Sequence, residues 1–205
     1  MRINKKKFVY LISPNKISNK SFYNDLDRVF KSKKISFFQL RLKKSKEKER
    51  IQIGKKVKRI CEKFNVKLII NDDPYLTKKL DADGCHLGQK DMTIEEAREI
   101  LKNKIIGITC HNSIKLAKIA IGNKADYLAI GAFHSSKTKK VIYRANINIL
   151  HSIKKLTKIP IVAIGGINSK NYKKLLLNKA NFLAISGYIW NNKKYKPSEA
   201  IREIK

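Results

Sequence analysis

The sequence is short of acids, of glycine and proline, and of long apolar runs. Sixteen Asp and Glu stand against 47 Lys and Arg, a formal net charge of +31 over 205 residues. Nine glycines and four prolines leave no low-complexity linker or tail, so nothing marks a boundary inside the chain, and residues 1–205 read as one domain large enough to bury a continuous core. Every apolar run is broken by Lys, Asp or Asn before it reaches bilayer-spanning length. The start, MRINKKKFVYLISP, is basic, but its apolar run Phe8–Ile12 is too short for a signal peptide and no small-residue cleavage site follows. Cys61, Cys85 and Cys110 are an odd number without CxxC spacing, which excludes a disulfide framework or a zinc cluster and fits reduced thiols. The expected location is the cytoplasm, with no membrane association.

What is abundant is lysine. The basic residues divide into 39 Lys and eight Arg, scattered over the whole length. Base readout and bidentate phosphate contacts favour Arg, and single-strand binders interleave aromatics with a basic groove. Neither pattern is present, and Lys, Ile and Asn are all frequent, as an AT-rich genome would supply at unconstrained surface positions. The charge therefore implies solubility and a general attraction for anions, and no specific nucleic-acid partner.

A rhythm runs through the chain: a short β-branched run, a turn, then a helical stretch. Strands are expected at Phe8–Ser13, Ser36–Leu42, Lys67–Asn71, Gly84–Leu87, Ile105–Thr109, Tyr127–Gly131, Pro160–Ile164 and Phe182–Ser186. Between them, Ser45–Phe64 places Ile51, Ile53, Val57, Ile60 and Cys61 on one helical face. Thr93 with Glu96 three residues on reads as a capping box, and Asn168 as the cap of the helix after Ile167. Eight alternations in this length predict an α/β fold, a (β/α)8 TIM barrel near the small end of its range. Unbroken runs such as LII, YLAI and IPIVAI suit a parallel sheet covered on both faces. A doubly wound sheet would bring a glycine-rich turn after its first strand, and PNKISNK has no glycine.

In such a barrel the active site lies at the C-terminal strand ends, and there the polar residues fall. Strand two ends in Gln39, Arg41 and Lys43, strand three in Asn71 and Asp72, and strand four in His86, Gln89 and Asp91. Strand five ends in Thr109 and His111, strand six leads to Ser136, Thr138 and Lys139, strand seven ends in Gly165 and Gly166, and strand eight in Ser186 and Gly187. Each has a plain structural reading. QLRLK alternates as the solvent face of an edge strand would, and Asp72 and Asp73 suit the first turn of a helix, a role kept for Asp73. In a closed barrel there is no edge, and the alternation aims Gln39, Arg41 and Lys43 into the mouth. Bare amides at Gly165–Gly166 before a helix suit a phosphate. Five of the sixteen acids (Asp72, Asp73, Asp81, Asp83 and Asp91) crowd into residues 69–92.

Taken together, QLRLK (39–43), IINDD (69–73), DGCHLGQKDM (83–92), IIGITCHN (105–112), ADYLAIG (125–131), SKTKK (136–140), PIVAIGGIN (160–168) and AIS (184–186) resemble the thiamine-phosphate synthase family over nearly the whole chain. The resemblance implies a transferase that joins a pyrimidine methyl diphosphate to a thiazole phosphate and releases diphosphate. It implies Mg²⁺ on Asp72 and Asp91, diphosphate contacts from Arg41, Lys43 and Lys139, and a pyrimidine seat at Gln39 and Asn71. Thr109 stands where that family usually has Ser. Ser136, Thr138, the backbone near Gly166, and Ile185–Ser186 would hold the thiazole phosphate. GAFHSSKTK departs from the family's GPxFxTxTK, and Leu42 replaces an acid. Two other readings stand beside it: a thiazole tautomerase-like isomerase using His111 or His134 as proton shuttle, and a non-catalytic phosphate- or RNA-binding barrel. Neither needs the Asp72–Asp91 pair. A homo-oligomer is left open by the sequence.

Overall fold

A computed structural model describes residues 7–17, 21–135 and 141–205. Eight parallel strands close into a barrel in sequence order: β1 (Val9–Ile12), β2 (Ile35–Leu40), β3 (Lys67–Asn71), β4 (Gly84–Leu87), β5 (Ile105–His111), β6 (Tyr127–Gly131), β7 (Ile161–Ile164) and β8 (Phe182–Ile185), with β8 pairing back onto β1. The helices are α1 (Ser21–Phe30), α2 (Glu47–Lys63), α3 (Pro74–Lys79), α4 (Ile94–Leu101), α5 (Ile114–Gly122), α6 (Asn148–Leu156), α7 (Tyr172–Leu177), α8 (Gly187–Trp190) and α9 (Pro197–Arg202). Among the described residues, no helix is long and apolar enough to cross a membrane.

Strand alternation divides the apolar residues between two cores. Val9, Leu11, Phe38, Leu40, Leu68, Ile70, Leu128 and Ile130 face outward and meet the helices. Tyr10, Phe37, Ile69, Tyr127, Val162 and Phe182 fill the barrel itself. On α2 the buried face is Ile53, Gly54, Val57 and Cys61, with Ile51 and Ile60 packed at its margin, as the spacing predicts. Thr93 and Glu96 form the expected capping box on α4. Asn168 does not cap α7. Its Oδ1 accepts from Lys170 N within the turn, and the helix starts later, after Asn171. Strand two stops at Leu40 rather than Leu42, which leaves Arg41 and Lys43 on the loop that leads out of the barrel.

The scarcity of glycine has a visible cost. Helices commonly exit through a left-handed residue, usually Gly. Here Lys33, Asn65, Asp81, Lys124 and Lys179, each just past a helix, take φ of 58°, 50°, 47°, 59° and 75°. Where no Cβ fits, glycine is kept. A Cβ on Gly107 would lie 1.8 Å from the Tyr127 ring, its neighbour across the β5–β6 ladder.

The N-terminal mouth carries a repeated clamp. Asp83, just before β4, accepts from Leu68 N of β3 at 2.8 Å; Asp126, before β6, from Ile106 N of β5 at 2.8 Å; and Asn181, before β8, from Ile161 N of β7 at 2.8 Å. Ser36 of β2 donates to the Lys7 carbonyl, just ahead of β1, at 2.6 Å.

Candidate active site

The crowd of acids in residues 69–92 sorts by end of the barrel. Asp81 and Asp83 lie at the N-terminal end. Asp81 pairs with Lys104 and Lys58, whose hydrogen bonds and charge lower its pKa to about 2, and Asp83 clamps β3. Asp73 caps α3, accepting from Leu76 N at 2.8 Å and from Arg50 at 2.9 Å, as expected. Asp72 and Asp91 are left for the C-terminal mouth.

Asp72 takes φ 63°, a strained setting for a residue with a side chain, and one that Asp tolerates better than most. Its amide donates to the His86 carbonyl of β4 at 2.8 Å, so the turn is locked to the neighbouring strand. Asp91 is placed from the other side, accepting from Gly88 N at 2.7 Å. A Cβ at Gly88 would sit 2.8 Å from that same oxygen, so a side chain there would have to push the Asp91 carboxylate aside. Partial desolvation, and Asp72 within hydrogen-bonding reach, raise the pKa of the largely exposed Asp91 from its ordinary value despite the Gly88 amide. Lys43 lies 3.1 Å from Asp72, with half of its side chain exposed. Such an exposed ion pair contributes at most about 1 kcal/mol. Lys43 can therefore leave Asp72 for an incoming anion at little cost.

The last inward residues of the strands are polar where lower ones are apolar. Gln39, fully buried, donates from Nε2 to Asn71 Oδ1 at 2.9 Å. Arg41 donates to Asn15, while its amide donates to Ser13 Oγ at 2.9 Å, fixing the loop after β2 against the one after β1. Partial burial lowers the Arg41 pKa, and Asp72 opposes the shift. Thr109 closes the β4–β5 side, its Oγ1 2.9 Å from His86 Nε2.

Across the mouth, Gly165 and Gly166 adopt φ 108° and 58°. A Cβ on Gly165 would meet Ala132, and one on Gly166 would lie 2.2 Å from the Ser135 carbonyl. The pair thus lets the chain after β6 lie directly on the turn after β7. Ile185 is buried at the end of β8, and Ser186 follows it, donating to the Ser13 carbonyl at 3.3 Å. Ser136, Thr138 and Lys139 lie outside the described residues. The segment's two flanks are held, with Ala132 N donating to Tyr143 O at 3.0 Å and His134 N to Gly165 O at 3.2 Å.

Three inward residues escaped the sequence reading as a group. Tyr10, Tyr127 and His86 form a buried chain: Tyr10 and Tyr127 hydroxyls 2.8 Å apart, and Tyr127 Oη 2.9 Å from His86 Nδ1. Burial pushes the His86 pKa down to about 4, so the ring is neutral. His111 and His134 lie elsewhere; the His111 ring packs at a tilt against Tyr143, with centroids 4.4 Å apart.

A parallel barrel whose C-terminal mouth gathers two facing carboxylates, cations and bare backbone turns belongs to the class of (β/α)8 enzymes that act on phosphorylated small molecules. The comparisons name the family within that class. The family model described as thiamine monophosphate synthase matches residues 9–189. The thiamine-phosphate synthase of Pelagibacter ubique (strain HTCC1062) is 71% identical over 200 residues, 98% of this chain and 97% of that one. That of Erythrobacter litoralis (strain HTCC2594) is 36% identical, covering 95% and 93%. The solved thiamine phosphate pyrophosphorylase from Pyrococcus furiosus superposes with a TM-score of 0.84 at 27% identity, over 97% and 94% of the two chains. The chain belongs to the thiamine-phosphate synthase family. Its reaction condenses 4-amino-2-methyl-5-(diphosphooxymethyl)pyrimidine with a thiazole phosphate, giving thiamine phosphate and diphosphate.

Proposed function

We propose that the two substrates lie side by side across the C-terminal mouth, with the diphosphate over β2–β4 and the thiazole phosphate over β6–β8. Gln39, Asn71 and Thr109 seat the pyrimidine. Arg41 and Lys43, together with Lys139, grip the diphosphate. Ser136, Thr138 and the backbone at Gly166, Ile185 and Ser186 receive the thiazole phosphate, in keeping with the bare Gly165–Gly166 turn.

Asp72 and Asp91 fit a hard dication. Their oxygens lie within hydrogen-bonding reach of one another, and Asp72 adds to the partial desolvation that raises the Asp91 pKa. Among the described residues no third His, Cys, Asp or Glu joins them. Two carboxylates suit Mg²⁺, which completes its shell with water and substrate phosphate oxygens. Asp72 and Asp91 would hold that ion, whose contribution is to neutralise charge on the diphosphate oxygens.

The chain's own groups deal with the remaining charge. As the C–O bond to the pyrimidine methylene breaks, the electron pair leaves with the diphosphate and positive charge spreads into the aminopyrimidine ring. The thiazole nitrogen then supplies the pair for the new C–N bond. Arg41, Lys43 and Lys139 stabilise the diphosphate most as its charge grows, which is where binding energy lowers the barrier. Gln39, buried, and Asn71, half-buried and bonded to it, hold the ring in the line of attack without reorganising. Both substrates are phosphorylated and all three cysteines are free and buried, which fits a cytoplasmic location for this one-domain chain.

The facing of Asp72 and Asp91 beside Lys43 is the observation that carries this assignment. Its test is diphosphate release from both substrates with Mg²⁺, comparing the parent with Asp72→Ala. A loss of at least about 100-fold in kcat/KM, roughly 2.7 kcal/mol of transition-state stabilisation, is expected. Near-parent activity in the variant would make Asp72 a turn residue only.

A further inference from the structure

The buried chain Tyr10–Tyr127–His86–Thr109 has a direction, and the direction decides what Thr109 can offer a substrate. Each hydroxyl carries one proton, and a neutral imidazole carries one on its two nitrogens. Suppose His86 is protonated on Nδ1. It then donates to Tyr127, and Thr109 donates to Nε2. Tyr127 must in turn donate to Tyr10. The Tyr10 hydroxyl, only 2% exposed inside the barrel, then points its proton at no acceptor among the described residues, since Tyr127 Oη is its one hydrogen-bond partner. If Tyr127 instead accepts from both sides, its own proton is orphaned. Buried donors without acceptors are rare in native proteins because they forfeit the hydrogen bonds that water supplies to the unfolded chain.

Reversing every bond removes the problem. Tyr10 donates to Tyr127 (2.8 Å), Tyr127 donates to His86 Nδ1 (2.9 Å), and His86 Nε2–H donates to Thr109 Oγ1 (2.9 Å). Every buried proton then has an acceptor. Thr109 Oγ1, already accepting from the imidazole, keeps its own proton for the mouth. We propose that His86 is a positioning residue, held as the Nε2–H tautomer by the two tyrosines, and that it makes Thr109 a hydrogen-bond donor that recognises an acceptor nitrogen of the pyrimidine ring. The proposal rests on the seating of the pyrimidine at Thr109, and it adds the polarity of that contact. Recognition of an unshared ring pair, rather than of the exocyclic amino group, selects the ring pattern that Thr109 faces. It also leaves the amino group free to feed electrons to the methylene.

Two measurements separate this inference from the seating it rests on. In the intact protein with ¹⁵N-labelled histidine, two-bond ¹H–¹⁵N correlation gives the tautomer directly, His86→Gln identifying the signal by its loss. The expected pattern is a pyrrole-type Nε2 and a pyridine-type Nδ1, with Tyr127→Phe weakening that preference. An Nδ1–H tautomer in the parent overturns the proposal whatever the substrate does. Second, pyrimidine diphosphate analogues with CH in place of one ring nitrogen are compared in the parent and in Thr109→Val. One analogue is expected to raise KM about 10-fold in the parent and to add little in Thr109→Val, because the same hydrogen bond has been removed from both sides. If Thr109→Val changes KM for the natural substrate not at all, the seating itself is wrong. If it does raise KM but neither analogue is coupled to it, the seating stands and the donor assignment falls.

Discussion

Replacing Asp91 by Asn removes one of two facing carboxylates while keeping a side-chain oxygen to accept from the Gly88 amide. Two unit charges about 4 Å apart repel by roughly 4 kcal/mol at an effective dielectric near 20. Asp91 is exposed and Lys43 offsets Asp72 from 3.1 Å, so screening reduces the net repulsion to about 1 kcal/mol or less. In a chain of this length about 1 kcal/mol moves Tm by roughly 2–4 °C. In chelator, Asp91→Asn is therefore expected to melt about 1–3 °C above the parent. The pH dependence follows from the raised Asp91 pKa. The folded state holds that proton more tightly than the unfolded chain, so the parent loses stability as pH rises from about 4 through the folded pKa. The variant has no such loss, and the gap between the two should open over that window. Adding Mg²⁺ should reverse the order, raising the Tm of the parent alone, while diphosphate release by the variant falls by about 100-fold. Thermal melts from pH 4 to 7, with chelator or Mg²⁺, read all of this. A variant that melts several degrees lower, with Mg²⁺ shifting neither protein, would make Asp91 a loop brace and refute the metal assignment.

Gly107→Ala drives a methyl into the Tyr127 ring, and overpacking of this kind costs about 1–3 kcal/mol. Calorimetry should show Tm several degrees lower; an unchanged Tm would mean the ring moves freely. Lys33→Gly with Lys124→Gly relieves two left-handed residues at φ 58° and 59°. Each relief of roughly 1–2 kcal/mol is offset by about 0.5–1 kcal/mol of glycine entropy. The pair should gain about 1 kcal/mol in denaturant unfolding at constant m-value, and a loss would show that those lysines make compensating contacts.

Much of this was legible in the sequence for a physical reason. Parallel strands covered on both sides are apolar throughout, so a polar residue at the end of LIIN or IIGIT stands out against its own strand. Asn71, Asp72 and Thr109 can be placed at the C-terminal mouth that way, and Asp73 at the start of α3 by cap chemistry. What was not legible depends on register around a closed ring. Tyr10 and Tyr127 look like ordinary strand aromatics, and only the barrel brings hydroxyls 117 residues apart to 2.8 Å. Gly107 is a faint trace of that meeting, interpretable once its partner is known. Asn168 failed as a cap because the turn after β7 spends its side chain on Lys170 N, an Asx turn competing with the helix start.

The clamps at the N-terminal mouth stitch β3 to β4, β5 to β6 and β7 to β8, with Ser36 serving β1 and β2. The residue just ahead of β4, β6 or β8 takes the first or second amide of the odd strand before it. The barrel is thus joined at its N-terminal mouth as four two-strand staves, each with its own side-chain clamp. A stave can settle its own register before the ring closes, so closure matches four preset pieces instead of eight free strands. The proposed site straddles the joints: Gln39 meets Asn71 across the β2–β3 joint, and His86 meets Thr109 across β4–β5. Loosening of the ring at its joints would disperse the catalytic groups while leaving each stave intact, so loss of activity on mild denaturation should precede loss of secondary structure.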